Sequence, residues 1–368
     1  MVHSGSIFLA LASSALVTAR LCTDVDVCLK VTTKNAQFAF PTLETNEQAA
    51  DLQFQFALRD QEAVKPTGYE TVTGNYTINA RFCTPDTPGA NSKTIQILTH
   101  GIGFDKNYWD PEVSRSNYSY VDTALAAGYS TFFYDRLGNG KSSKPNPNTK
   151  VQSFVELEIL TQLTTLIREG AIGLGITPEK VIHVGHSYGS ILSNRLAVDT
   201  PELSDGLILT GYGHNFKWMQ ASLVAWGFEI ARLQDPVRFS DFASEYITWA
   251  TKWSNQFFFL KYPFFSTEAL DYAEENKGPV GLGTLWTIGM GDFVASQFEK
   301  PVLIITGQYD LPFCGGNCTG ILESSEPYFP NSTALKIVLH PDAGHGINLQ
   351  FNAQDAYKTI LDFLEENL

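Results

Sequence analysis

Positive charge is scarce in this chain: 25 Lys and Arg stand against 39 Asp and Glu in 368 residues, a formal net charge of −14. Such a surface repels a polyanion, and no basic stripe offsets it, so nucleic-acid binding is excluded as a function class. Long hydrophobic runs are also rare. The apolar stretch from Ile7 to Ala19 is too short to span a bilayer and nothing comparable follows, so stable membrane insertion is not expected. There are five cysteines, and the close pair Cys314 and Cys318 has no further Cys or His nearby to complete a metal site. Nothing asks for a metal or an organic cofactor. Internal repeats and low-complexity tracts are absent, which excludes repeat architectures.

What is present begins with that apolar run. It ends in Val17-Thr18-Ala19, with small residues one and three before a break after Ala19, as a secretory signal peptide requires, although its leading residues carry His3 and no Lys or Arg. Residues 1–19 are therefore expected to be removed and the chain to be secreted. Four Asn-x-Ser/Thr sequons, at Asn75, Asn117, Asn317 and Asn331, are candidate glycosylation sites on that route. Cys314-Gly315-Gly316-Asn317-Cys318 can close a small disulfide loop. Of the remaining Cys22, Cys28 and Cys83, the pairing expected is Cys22–Cys83 with one thiol left free, although sequence alone does not fix connectivity.

The centre of the chain carries its chemistry. Gly185-His186-Ser187-Tyr188-Gly189 follows the β-branched run Val181, Ile182, Val184 and precedes a helix-like stretch from Ser190 to Val198. A serine at the apex of so sharp a strand-to-helix turn occupies a strained backbone, and small residues two before and two after make room for it. Such a nucleophile needs a base, and the base needs a carboxylate to hold its tautomer. Pro301 to Thr306 reads as a buried strand running into Gly307-Gln308-Tyr309-Asp310, and Leu335 to Leu339 as another, followed by His340-Pro341-Asp342-Ala343-Gly344-His345-Gly346. His345 is the expected base and Asp310 its orienting acid. Asp342 is a competitor, but it lies three positions from His345 on the same loop, poorly placed to support the ring from behind.

An acyl-transfer site also needs two N–H groups for the oxyanion. Tyr188, directly after the serine, is expected to supply one. Ile102, in the turn Thr99-His100-Gly101-Ile102-Gly103 after the strand Thr94 to Leu98, is expected to supply the other. His100, His183 and His186 read as structural histidines.

These motifs, together with Tyr134-Asp135-Arg136-Leu137-Gly138-Asn139-Gly140-Lys141-Ser142, resemble those of the α/β-hydrolase superfamily, and more narrowly its secreted serine hydrolases of filamentous fungi. The resemblance covers roughly residue 94 to the end. It implies an architectural role for Asp135, and the serine at the elbow sets the chain apart from the epoxide hydrolases and haloalkane dehalogenases, whose elbow carries an aspartate.

The expected fold is thus α/β: a mostly parallel central sheet flanked by helices, with antiparallel N-terminal strands and a helical cap between the sixth and seventh core strands. Period-two alternation marks the N-terminal strands at Val25, Val27, Leu29, Val31, then Leu52, Phe54, Phe56, Leu58, then Val72, Tyr76, Ile78, Ala80, Phe82. Helices are expected near Tyr120–Ala127, Phe154–Glu169, Ser190–Val198 and Ala353–Leu364. The domain plan is 1–19 signal peptide, 20–211 first part of the core, 212–298 cap, 299–368 second part of the core. Five of the six tryptophans fall in the cap segment, more ring area than its own packing requires, so some should line an apolar pocket. The expected partner is a small apolar or aromatic ester, cleaved through an acyl-serine intermediate. Small-substrate peptidase or amidase activity, lyase or condensation chemistry, and a silent binding role are the alternatives.

Overall fold

The computed structural model describes residues 20–58 and 64–368, so the expected signal peptide lies outside the described residues. In chain order the strands are β1 (Arg20–Gln37), β2 (Gly68–Pro85), β3 (Thr94–Thr99), β4 (Ser130–Tyr134), β5 (Lys180–His186), β6 (Gly206–Thr210), β7 (Phe228–Ile230), β8 (Tyr246–Trp249), β9 (Val280–Gly281), β10 (Val302–Gly307) and β11 (Leu335–His340). Eight of them form one sheet in the order β1-β2-β4-β3-β5-β6-β10-β11. From β4 to β11 neighbouring strands run parallel, while β1, β2 and β4 pair antiparallel.

Every residue of β3, β4, β6 and β10 is buried, because helices cover both faces of a parallel sheet. That explains their unbroken apolar character in sequence. β1 instead alternates, with Val27, Leu29 and Val31 buried between exposed neighbours, as a half-covered antiparallel strand should. Helices Tyr120–Ala126, Ser153–Arg168, Tyr188–Asp199 and Ala353–Asn367 stand where periodicity predicts them.

One expectation needs correction. The Leu52, Phe54, Phe56, Leu58 alternation is not a strand: Asn46–Ala57 is a helix opened by a Thr45/Gln48 capping box. Ala49 and Leu52 are buried and Phe56 half-buried, a three-then-four spacing on one helical face, while Phe54 points to solvent. Ala, Gln and Leu favour the helix, and the reciprocal cap satisfies two end N–H groups, which outweighs four alternating apolar residues. The helix packs on the residues between β6 and β10, called the insert below, through Phe228 N–H to Gln53 Oε1 (3.0 Å) and Ile230 N–H to Asn46 Oδ1 (3.0 Å).

The insert is mostly helical. Helices dominate it, among them Lys252–Phe259, Thr267–Glu275 and Leu282–Thr287, but β7, β8 and β9 form a three-stranded antiparallel sheet within it. Tyr246-Ile247-Thr248-Trp249 is fully buried and rich in β-branched and aromatic side chains, which suits a central strand. Its seat is over the carboxyl ends of the core strands: Gly278 N–H donates to Gly103 O (2.8 Å) beyond β3, and Gly346 N–H beyond β11 donates to Phe259 O (2.7 Å). Among the described residues no helix is long and apolar enough to cross a membrane.

Candidate active site

β5 ends at His186, and the next residue, Ser187, has φ 52° and ψ −114° before the helix Tyr188–Asp199 begins. A non-glycine residue pays for such a backbone only where its surroundings enforce it. The two flanking glycines show how. A Cβ on Gly189 would sit 1.9 Å from Thr99 O, and one on Gly185 2.4 Å from the Ser190 Cα. Neither position tolerates a side chain without moving a strand or the helix. The Ser187 N–H donates to Thr210 O of β6 (2.9 Å), which holds the apex against the neighbouring strand.

The structure brings Ser187, His345 and Asp310 together from three loops. His345 Nδ1–H donates to Asp310 Oδ2 at 2.6 Å, and the Ser187 hydroxyl donates to His345 Nε2 at 2.8 Å. Asp310 is fixed from both sides: Thr306 Oγ1 donates to Oδ2 at 2.6 Å and the Phe313 N–H to Oδ1 at 2.9 Å. Asp310 and His345 are fully buried, and Ser187 is 9% exposed. Asp342 is exposed, so the buried Asp310 alone holds the ring.

The turn after β3 lies against the serine. Gly101 is so close that a Cβ on it would meet the Ser187 Cβ at 3.0 Å, and Thr99 pairs with Gly185 across β3 and β5. Ile102 is thereby placed beside the elbow, as is Tyr188 at the free amino end of its helix, where the first N–H groups lack intrahelical acceptors.

Aromatic rings from the insert close over this group. Phe258 and Phe259 each lie 5.6 Å from the His345 ring centroid, and Phe313, from the core loop after β10, lies 5.9 Å away. Trp249 packs on Phe259 at 5.4 Å, and its indole occupies the space a Cβ on Gly103 would need. Water is largely displaced here, which strengthens every dipole aimed at a reacting carbonyl.

A strained serine at a strand-to-helix turn, an acid after β10 and a histidine after β11 occur on a chain that matches the sequence profile of the Alpha/beta hydrolase family over residues 96–357. The chain belongs to that family. Among curated proteins, the putative carbamate hydrolase RutD of Enterobacter cloacae subsp. cloacae is 27% identical over 121 residues, 33% of this chain and 38% of that protein. Its counterpart in Klebsiella pneumoniae is 29% identical over 122 residues, with the same coverage of 33% and 38%. The match thus spans well under half the length of these relatives. A thermophilic esterase from Thermogutta terrifontis superposes with a TM-score of 0.52 at 15% identity, covering 79% of this chain and 94% of that one. For an enol-lactonase from Burkholderia xenovorans the TM-score is 0.51 at 16% identity, covering 79% and 97%. At such identities these likenesses concern the fold.

In this alpha/beta hydrolase His100, His183 and His186 are architectural. His100 Nδ1–H donates to Gly101 O (2.8 Å) and its Nε2 accepts the Arg136 N–H (3.0 Å), shaping the turn. His183 sits between the Thr164 and Ser204 hydroxyls, and burial pushes its pKa down to about 3. His186 stacks on Tyr108 at 4.3 Å, and burial, then the nearby His345, hold it well below the usual imidazole range. Both disulfides, Cys22–Cys83 and Cys314–Cys318, are formed, and Cys28 is free and exposed. Asn75, Asn317 and Asn331 are exposed and Asn117 is half-buried.

One group escaped the sequence reading. Glu156, buried in helix Ser153–Arg168, pairs with Arg136 at 2.5 Å and accepts from the Tyr188 phenol (3.1 Å) and the Thr284 hydroxyl (3.0 Å) of the insert. Burial pushes its carboxyl up against the pull of Arg136. A glutamate among the inward positions Val155, Leu157, Ile159 and Leu160 is the signal that could have found it.

Proposed function

We propose that the chain is a secreted serine hydrolase that cleaves carboxylic esters of apolar or aromatic small molecules. The observation carrying this reading is the continuous relay from Asp310 through His345 to Ser187, at 2.6 and 2.8 Å. Asp310 holds the Nδ1–H tautomer, which leaves the Nε2 lone pair facing the serine hydroxyl. His345 takes that proton as Ser187 Oγ bonds to the ester carbonyl carbon, and the carbonyl π electrons move to oxygen. The Ile102 and Tyr188 amides receive the oxyanion. As the tetrahedral intermediate collapses, the C–O bond to the alcohol breaks and His345 returns the proton to the departing oxygen. Water, deprotonated by the same imidazole, then releases the acid from acyl-Ser187 and restores the enzyme.

Residues 212–298 act as the cap in this reading, with Phe258 and Phe259 excluding water above His345. The signal-like Ile7–Ala19 run, the sequons and two disulfides support secretion. Labelling with a fluorophosphonate, read by peptide mass spectrometry, tests the nucleophile directly. The label is expected on Ser187, and Ser187→Ala is expected to abolish both labelling and hydrolysis of p-nitrophenyl esters. Hydrolysis in oxygen-18 water should place one heavy oxygen in the acid product; its absence would point to lyase or condensation chemistry.

A further inference from the structure

The helix Asn46–Ala57 lies outside residues 96–357, the part of the chain that matches the family, yet with the insert it borders a cavity partly open to solvent. The cavity measures about 530 Å³, within the range of small-molecule sites. Leu52 and Phe56 of the helix form one wall; Phe216 and Met219 form a second, and Leu285 and Trp286 a third. Among the described residues no Asp, Glu, Lys, Arg or His lines it, and Gln55, Gln220 and Trp286 are the lining residues with polar side-chain groups. A charged ligand would find no counter-ion among those residues. A neutral apolar group needs none.

Two walls pack against residues that neighbour the candidate active site. Phe216 lies 5.8 Å from Phe313, whose ring lies 5.9 Å from His345. Leu285 follows Thr284, which donates to Glu156, the acceptor of the Tyr188 phenol. The remaining wall is held by its own polar contacts: the Gln53 side chain donates to Val224 O and accepts from the Phe228 N–H, and Phe56 packs edge-on to Phe228 at 5.8 Å.

We propose that this cavity binds the larger apolar group of the ester substrate, and that Leu52 and Phe56 set the length it accepts. The proposal rests on the hydrolase reading above. It places specificity in an N-terminal helix that the family core does not supply.

Two p-nitrophenyl and alkyl ester series, one graded in the acyl chain and one in the alcohol, test it in the full chain. Leu52→Trp fills the cavity from the helix side, and kcat/KM for the long members of one series should fall about fourfold for each methylene no longer buried. Phe56→Ala should move the preferred length the other way. Met219→Trp fills the same space from the opposite wall and carries the test if Leu52→Trp does not fold. Fluorophosphonate labelling of the wild type at Ser187 separates the two levels. If Ser187 is not labelled, the hydrolase reading itself falls and the pocket assignment with it. If Ser187 is labelled and turns esters over, but the folded variants keep the wild-type length profile in both series, the cavity is not the substrate pocket and this inference alone is overturned.

Discussion

The Tyr188 phenol donates to Glu156 Oε1 at 3.1 Å, so the residue whose amide is assigned to the oxyanion is tied through its side chain to a buried ion pair. The other member of that pair, Arg136, reaches Gly101 O at 3.3 Å, next to Ile102, and its guanidinium lies 4.6 Å from the Tyr188 ring. One Glu–Arg pair therefore braces both proposed oxyanion donors. Glu156→Gln keeps the shape and removes the charge, leaving Arg136 buried without a counter-ion, which typically costs about 3–5 kcal/mol. Tyr188→Phe is the gentler probe: it removes one hydrogen bond, worth about 1 kcal/mol of stability. We expect Tyr188→Phe to lower kcat by about tenfold with KM within about twofold, because a misplaced donor is felt mainly in the transition state. An unchanged kcat beside a lowered melting temperature would assign the network to stability only.

Asp310→Asn gives a sharper loss. The amide can still accept the Phe313 N–H, but its NH2 then faces His345 Nδ1 where an acceptor stood. The ring is driven to the opposite tautomer and Nε2 no longer accepts the Ser187 proton. A fall in kcat of about ten-thousandfold is expected, with thermal stability little changed. Steady-state kinetics on a p-nitrophenyl ester decides it: retention of a tenth of the activity would move the orienting role away from Asp310.

How much of this was legible in sequence varies with what had to be seen. The strands β3, β5, β10 and β11 could be read because each is a short apolar run bounded by turn residues, and the order of Ser187, Asp310 and His345 followed from where those runs end, although β11, expected to be buried, is an edge strand with Lys336 and Leu339 exposed. The 46–57 helix was misread because Leu52, Phe54, Phe56 and Leu58 alternate, although the Thr45/Gln48 cap signal was present upstream. β7, β8 and β9 are two to four residues long, too short for any period to register. The Glu156–Arg136 pair joins a helix to a loop 20 residues away, and no local pattern encodes such a meeting. Side-chain contacts between elements appear only once the elements are placed.

The two disulfides should separate in their effects. Cys22–Cys83 joins residues 61 apart that are already paired across β1 and β2, far from Ser187. Chain-entropy reasoning for a loop of that length gives about 4 kcal/mol, so Cys22→Ser with Cys83→Ser should lower stability and leave kcat nearly unchanged. Cys314–Cys318 closes a span of only 4, worth about 2 kcal/mol by the same reasoning. That small loop is tied back to the acid, however, by Gly316 N–H to Asp310 O (2.9 Å) and Cys318 N–H to Gln308 O (3.0 Å). Cys314→Ser with Cys318→Ser is expected to reduce kcat several-fold for a smaller loss of stability. Denaturation curves and kinetics on the two double variants check the reversal; parallel losses in both would contradict it.

Asp105 gives the structure a pH-dependent weakness. It lies two residues after Gly103, accepts from the Asn107 N–H at 2.8 Å, and sits near Asp135, whose carboxylate is taken up by Lys106. Burial first, and the charge of Asp135 second, push its carboxyl up from 3.8 to about 6, with Lys106 and Arg238 opposing. The folded protein thus holds this proton to a higher pH than the unfolded chain does. The stability it confers is complete below about pH 4 and is lost as pH rises through about 6. Asp105→Asn keeps the acceptor for Asn107 and never ionises. At about pH 8 it should therefore be more stable than the wild type by about 1–2 kcal/mol, and near pH 4 about equal. Urea unfolding at the two pH values measures the difference directly, and a gain of the same size at both would show that ionisation of Asp105 is not its source.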